Sequence, residues 1–135
     1  MKEFLLLQYA LCFMRVGIGL LTMLHGIPKM SGIETWHNLG TTFMFPLGIT
    51  FLPTMWGFLG GCTEFFGGIA LMLGLGTRAA SFSLVIMMFI AAIWHIKRGD
   101  SFNVYSFPIS LCIVYLTFMV IGGGDFSLDY YIFGN

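Results

Sequence analysis

Residues 54–75 read TMWGFLGGCTEFFGGIALMLGL and put one carboxylate, Glu64, inside an apolar, glycine-rich run. The run is long enough to cross a bilayer, which takes about 20 apolar residues. A charge at membrane depth is costly, so it normally has a partner and marks a functional site. Gly57, Gly60, Glu64, Gly67, Leu71 and Gly74 recur at threes and fours, and Gly61 and Gly68 widen the same helical face. Glycines on one face let a second backbone approach closely, with Glu64 at the centre of the contact.

The rest of the chain fits this setting. Of 135 residues, 58% are hydrophobic and 9% charged, with a mean hydropathy of +0.91. A soluble domain carries about 25% charged residues, so this chain cannot coat a soluble surface. The composition predicts an integral membrane protein with about four spans at roughly 20 residues each. Six basic and six acidic residues give no net charge, which excludes nucleic acid as a partner. Cys12, Cys62 and Cys112 fall within apolar spans without a Cys-x-x-Cys pair, and are expected to be small buried residues. The first apolar run is too long for a signal sequence and is expected to be retained.

Working outward, the spacing predicts a first span over about 4–26, with Gln8, Cys12, Arg15, Gly19, Thr22 and Gly26 on one small-and-polar face. Pro28 then breaks the helix. Residues 30–53 are a linker whose Ser31 and Glu34 have capping-box spacing. Its Trp36, Phe43, Phe45 and Phe51 suit an interfacial segment, a lid or a seal, and Pro46 and Pro53 argue against a fifth span. The second span covers 54–75, the third about 79–96 and the fourth about 104–122. Leu84, Met88, Ala91 and His95 share a face of the third; Tyr105, Pro108, Cys112, Tyr115, Met119 and Gly122 share one of the fourth. Short connections favour antiparallel neighbours. The expected fold is therefore all-α: a four-helix up-down membrane bundle forming a single domain over 1–135, with an interfacial segment between helices 1 and 2.

Comparing depths gives two clusters. Arg15 and Glu64 both lie near the middle of their spans, so a buried ion pair between them is expected; fixing helix register is the alternative to a functional role. His25, Lys29, His95 and Tyr105 gather at one membrane face. Two histidines there could ligate a metal or haem, pass protons or hydrogen-bond a quinone carbonyl, or act only as polar anchors. At the other face Arg78 is expected to bridge Asp125 and Asp129 in the tail, a solvated contact worth little. Lys2 and Arg78 on one side against Lys29, Lys97 and Arg98 on the other are too evenly divided to set an orientation.

Arg15-x-Gly17-x-Gly19, with Leu24-His25-Gly26-x-x-Lys29, resembles the first helix of the DoxX family of small bacterial membrane proteins. Glu64-x-x-Gly67-Gly68-x-x-Leu71-x-Leu73-Gly74-Leu75-x-Thr77-Arg78-Ala79-Ala80 resembles its second helix and turn. Met87-Met88, Ala91-Ala92 and His95 match its third helix, and Gly122-x-Gly124-x-x-Ser127-Leu128-Asp129 its closing tail. Where members often carry Gly-Tyr-Glu at the start of the fourth helix, this chain reads Val104-Tyr105-Ser106. The resemblance implies a four-helix bundle in the bacterial cytoplasmic (inner) membrane. It also implies kinship with subunits of thiosulfate:quinone oxidoreductase and with membrane redox complexes that handle thiols.

The expected function is that of a quinone-linked membrane redox protein acting on thiosulfate or thiols. His25, Lys29, Glu64 and His95 are its candidate catalytic groups. Arg15, His25, His95 and Tyr105 are the candidates for holding quinone. No metal site is expected. No cofactor motif or cysteine pair can carry electrons, so a redox partner protein or the bound cofactor must. Two alternatives stand beside this: a non-catalytic anchor for a redox partner, and a haem protein with His25 and His95 as axial ligands. Self-association is compatible with the surplus of small residues on the second span.

Overall fold

The computed structural model describes residues 1–134. Its elements are α1 (Lys2–Gly26), α2 (Ile33–Met44), α3 (Pro53–Leu73), α4 (Thr77–Arg98), α5 (Phe102–Ile121) and α6 (Leu128–Phe133), with tight 3-10 turns at Ile27–Met30 and Phe45–Leu47. Four helices are long and apolar enough to cross a membrane: α1 with its following turn, α3, α4 and α5. The chain is a multi-pass, all-α membrane protein. These four helices start and stop within about two residues of the limits expected for the spans, the ordinary scatter of helix ends.

Local chemistry sets those ends. Pro28 sits in the turn that closes α1, and Pro53 occupies the first turn of α3, where its missing N–H costs nothing. Gly74, at φ +68°, ends α3 in the left-handed region that only glycine enters freely. The capping box at Ser31 does not form. Gly32 precedes α2 instead, and the Ser31 hydroxyl donates to the Pro28 carbonyl at 2.8 Å.

The bundle is apolar outside and polar inside. Arg15, Thr22, Glu64, Thr77 and Ser81 are buried among Leu71, Leu84, Tyr115 and Phe118, while large hydrophobic side chains cover the exterior. Such a surface suits lipid contact. The three cysteines are free and half-buried.

Consecutive spans pack in the order α1–α3–α4–α5, and α2 lies along the first half of α3. Glycines make the closest contacts. A Cβ on Gly40 would strike the Pro53 backbone, and one on Gly57 the Trp36 backbone, so α2 and α3 meet main chain to main chain. α1 and α3 do the same where Gly19 meets Gly68 and Gly26 meets Phe65.

These contacts fix a stagger. Gly26 is level with Glu64 and Phe65, and Arg15 is level with the last turn of α3. The start of α1 therefore runs about 20 Å past the end of α3, at 1.5 Å per residue. The closing tail covers that overhang: the Asp125 N–H donates to Gln8 Oε1 at 3.0 Å, and Tyr9 stacks on Phe126 at 4.9 Å.

The stagger overturns the expected Arg15–Glu64 pair. The two residues are each central in their own spans but about 15 Å apart in level. Midpoints of neighbouring spans share a level only when the helix ends are flush, and here they are not. Arg15 instead donates to three carbonyls, Leu71 at 2.6 Å, Met72 at 2.9 Å and Phe126 at 2.8 Å.

The tail also departs from expectation. It contains a short helix, α6, whose N-cap Ser127 Oγ accepts from the Tyr130 N–H at 3.2 Å. Arg78 makes no ion pair with Asp125 or Asp129. The Asp129 carboxylate accepts from the N–H groups of Gly76 (2.6 Å) and Thr77 (2.8 Å), because the start of α4 offers unpaired donors and the positive end of its dipole. Burial pushes the Asp129 pKa up. The backbone N–H groups of Thr77 and Gly76, the Thr77 side chain and the Arg15 charge outweigh that and leave it below the usual 3.8. A lowered carboxyl pKa stabilises the docked tail fully above 3.8 and is lost as pH falls through the folded-state value. Amide exchange at Gly76 and Thr77, corrected for its intrinsic pH dependence, should accelerate below about pH 4. Asp129→Ala should show the same acceleration at neutral pH, with a loss of about 1 kcal/mol. Unchanged protection in both cases would mean that Asp129 does not hold the tail.

Candidate functional site

Lys29 comes off the turn after α1 and is held from two directions. Its carbonyl accepts from Trp36 Nε1 on α2 at 2.9 Å, and its ammonium donates to Glu64 Oε2 on α3 at 2.6 Å. Glu64 has 6% of its side chain exposed and Lys29 has 27%. The partner of the buried carboxylate is therefore Lys29, not Arg15. Gly61, one turn before Glu64, gives the Lys29 backbone room to lie against α3.

This ion pair forms part of the wall of a cavity of about 310 Å³ between α1, α3, α4 and α5. Thr22 and Tyr115 both line it and are hydrogen-bonded to each other, with their hydroxyl oxygens 2.6 Å apart. His25 and His95 complete its polar lining, and Ile18, Leu21, Phe107 and Leu111 supply apolar walls.

The histidine tautomers follow from their partners. His25 Nδ1 lies 2.9 Å from the Leu21 carbonyl, and His95 Nδ1 lies 2.7 Å from Asp100 Oδ2. Each Nδ1 must carry the hydrogen to donate to an oxygen, which leaves Nε2 as the second functional atom. Asp100 also lies 3.6 Å from Arg98 Nε. The His95–Asp100 contact fixes the ring and its tautomer.

Beyond the ion pair, between α2, α3 and α4, is a smaller cavity of about 60 Å³. Lys29, Phe43, Glu64 and Ala91 border both spaces, and Trp56 Nε1 is buried without a hydrogen-bond partner beside the smaller one.

Of the residues singled out from the sequence, His25, Lys29, Glu64 and His95 come together around one cavity. Arg15 and Tyr105 do not join them. Arg15 lies at the opposite end of the core, and Tyr105 packs edge-on against Phe102 in the first turn of α5. The tyrosine at the cavity is Tyr115, ten residues or about 15 Å farther along the helix. Thr22 lies on the small-and-polar face of the first span and Tyr115 shares a face with Tyr105, but depth in the span points to Tyr105. Asp100 had a weaker signal: it follows the glycine that ends α4, and the chain folds back there so that the carboxylate meets the ring five residues earlier.

Fold and site together define a class: a small four-span membrane bundle enclosing an amphipathic cavity with an ion pair in its wall. The chain belongs to the DoxX family, whose model matches residues 10–96, more than half its length. That match runs from α1 through most of α4 and includes Lys29, Glu64 and both cavity histidines. No curated protein and no solved structure gives a significant match to the chain.

Proposed function

We propose that this DoxX-family protein is a quinone-linked redox subunit of the bacterial cytoplasmic membrane, and that a quinone head group binds in the larger cavity. The carrying observation is a cavity within the membrane bundle whose apolar walls converge on Tyr115, Lys29 and His95. Its volume, about 310 Å³, lies at the lower end of ordinary ligand pockets. A quinone ring is flat and apolar with two carbonyl acceptors, which matches this lining.

When bound, quinone supplies a two-electron, two-proton acceptor. The chain's residues have separate tasks. The Lys29 ammonium donates a hydrogen bond that orients a carbonyl, and Tyr115 Oη does so by giving up its bond to Thr22. Glu64 balances the Lys29 charge. His95 can hold a proton at Nε2, with Asp100 keeping Nδ1–H in place. The electrons come through a partner protein that oxidises thiosulfate, two molecules joining to tetrathionate with release of two electrons, or oxidises a thiol pair to a disulfide.

Protein extracted mildly with its lipids should retain quinone and, with its partner, reduce it at the expense of thiosulfate or thiols. Tyr115→Phe or His95→Ala should weaken quinone binding about tenfold, the equivalent of one hydrogen bond, while leaving the fold intact. A sample that neither retains nor reduces quinone would sink the proposal. Two other outcomes point elsewhere: a haem absorbance band lost on replacing His25 or His95 would assign those residues as axial ligands, and capture of a soluble redox protein without quinone would assign an anchoring role.

A further inference from the structure

The cavity has one side that the bundle leaves thinly closed. α1 packs along α3, α3 along α4 and α4 along α5, but α1 and α5 scarcely meet. Among the described residues, the one side-chain hydrogen bond joining them is Thr22–Tyr115. By contrast α1 and α3 meet main chain to main chain, at Gly19 against Gly68 and Gly26 against Phe65. At the seam the lining side chains also form the outer surface: Leu21 is 55% exposed and Phe107 57% exposed. Pro108 lies beside the opening inside α5 and has no N–H, so the Val104 carbonyl lacks its usual helical donor. Pro108 therefore gives α5 a point of bending beside the seam, the kind of site at which helices yield.

We infer that the α1–α5 seam is a portal through which a head-and-tail ligand enters the cavity sideways from the bilayer, with Thr22–Tyr115 as its latch. The polar head lies at Lys29–Glu64 and Tyr115. The hydrocarbon tail lies between Leu21 and Ile18 on α1 and Phe107 and Leu111 on α5. The inference rests on the quinone reading and narrows its substrate class to quinones with long isoprenoid tails. The cavity is sized for a ring and not for a long chain, so the tail must leave it. The seam is the apolar exit, and it leads into lipid.

The test uses the full chain in nanodiscs, with binding measured against protein-free nanodiscs of the same lipid to remove simple partitioning. An isoprenoid-tailed quinone should bind at least tenfold more tightly than the same ring without a tail. Leu111→Trp, which fills the seam, should abolish that preference, bringing the affinities of the tailed and tail-less quinones to within twofold of each other. Leu21→Trp, on the exposed rim, should act in the same direction and is tolerated by the fold even if the first variant is not. A photoreactive group near the head end of the tail should cross-link to α1 and α5. Equal affinity for the two quinones in the wild type, or cross-links confined to α2 and α3, would overturn the portal and leave the quinone reading standing. Failure of both quinones to bind would overturn both.

Discussion

Arg15→Leu should destabilise the folded bundle by about 3–5 kcal/mol, from the loss of several charge-assisted hydrogen bonds and the exposure of their acceptors to an apolar interior. Arg15 is 1% exposed. One of its terminal nitrogens binds the Leu71 and Met72 carbonyls and the other binds Phe126. The first two lie in the last turn of α3, where the dipole is negative and the helical i+4 donors run out, although Leu71 also accepts from the Gly74 N–H at 3.1 Å. The third belongs to the tail. One side chain thus joins α1, the end of α3 and the closing segment. Arg15→Lys should recover only part of the loss, because a single ammonium cannot reproduce the planar fork. Thermal or SDS unfolding in lipid would measure both variants, and amide exchange in 122–127 should rise in each. An Arg15→Leu protein as stable as the wild type would remove Arg15 from this structural role.

Lys29→Met should also cost about 3–5 kcal/mol, since it leaves the buried Glu64 carboxylate without its counter-charge. Replacing both residues by methionine should be milder than replacing Lys29 alone, because no charge is then stranded. A double-mutant cycle isolates the coupling. Glu64→Gln removes the charge from the wall while keeping an acceptor for Lys29, so it should impair ligand retention more than folding. His25→Ala and His95→Ala should spare folding and change only ligand binding. Additive effects of the two methionine replacements would show that the pair contributes no coupling, and a folding defect in the histidine variants would reverse the division of labour drawn here.

Much of this architecture can be read from residue spacing. Gly19, Thr22 and Gly26, and Gly57 through Leu71, recur at helical period, and the structure buries those faces. The relative level of α1 and α3 cannot be read that way. Two glycine faces can meet at several offsets, and only the close approaches at Gly19 and Gly26 select one. The partners of Arg15 were hidden for a related reason: they are main-chain carbonyls, which every residue carries. Glu64 was legible as needing a cation, and Lys29 was legible near the cavity end, but joining them required the stagger. Ser127 stands in the sequence only as part of the closing tail, because a six-residue helix is too short to produce a periodic pattern.

The packing of α2 against α3 also imposes an order of events during synthesis. α2 has twelve residues, too few to span a bilayer, and its Gly40 and Trp36 backbones fit surfaces that belong to α3. Those surfaces are made later. Until α3 has been made Lys29 has no Glu64 to pair with, and a side chain of its length can reach the headgroups. Only when Pro53–Leu73 has followed can α2 settle and Glu64 neutralise the lysine. The cavity is thus completed by late arrivals, with Tyr115 emerging last, and its first half must be inserted before anything exists for it to close upon.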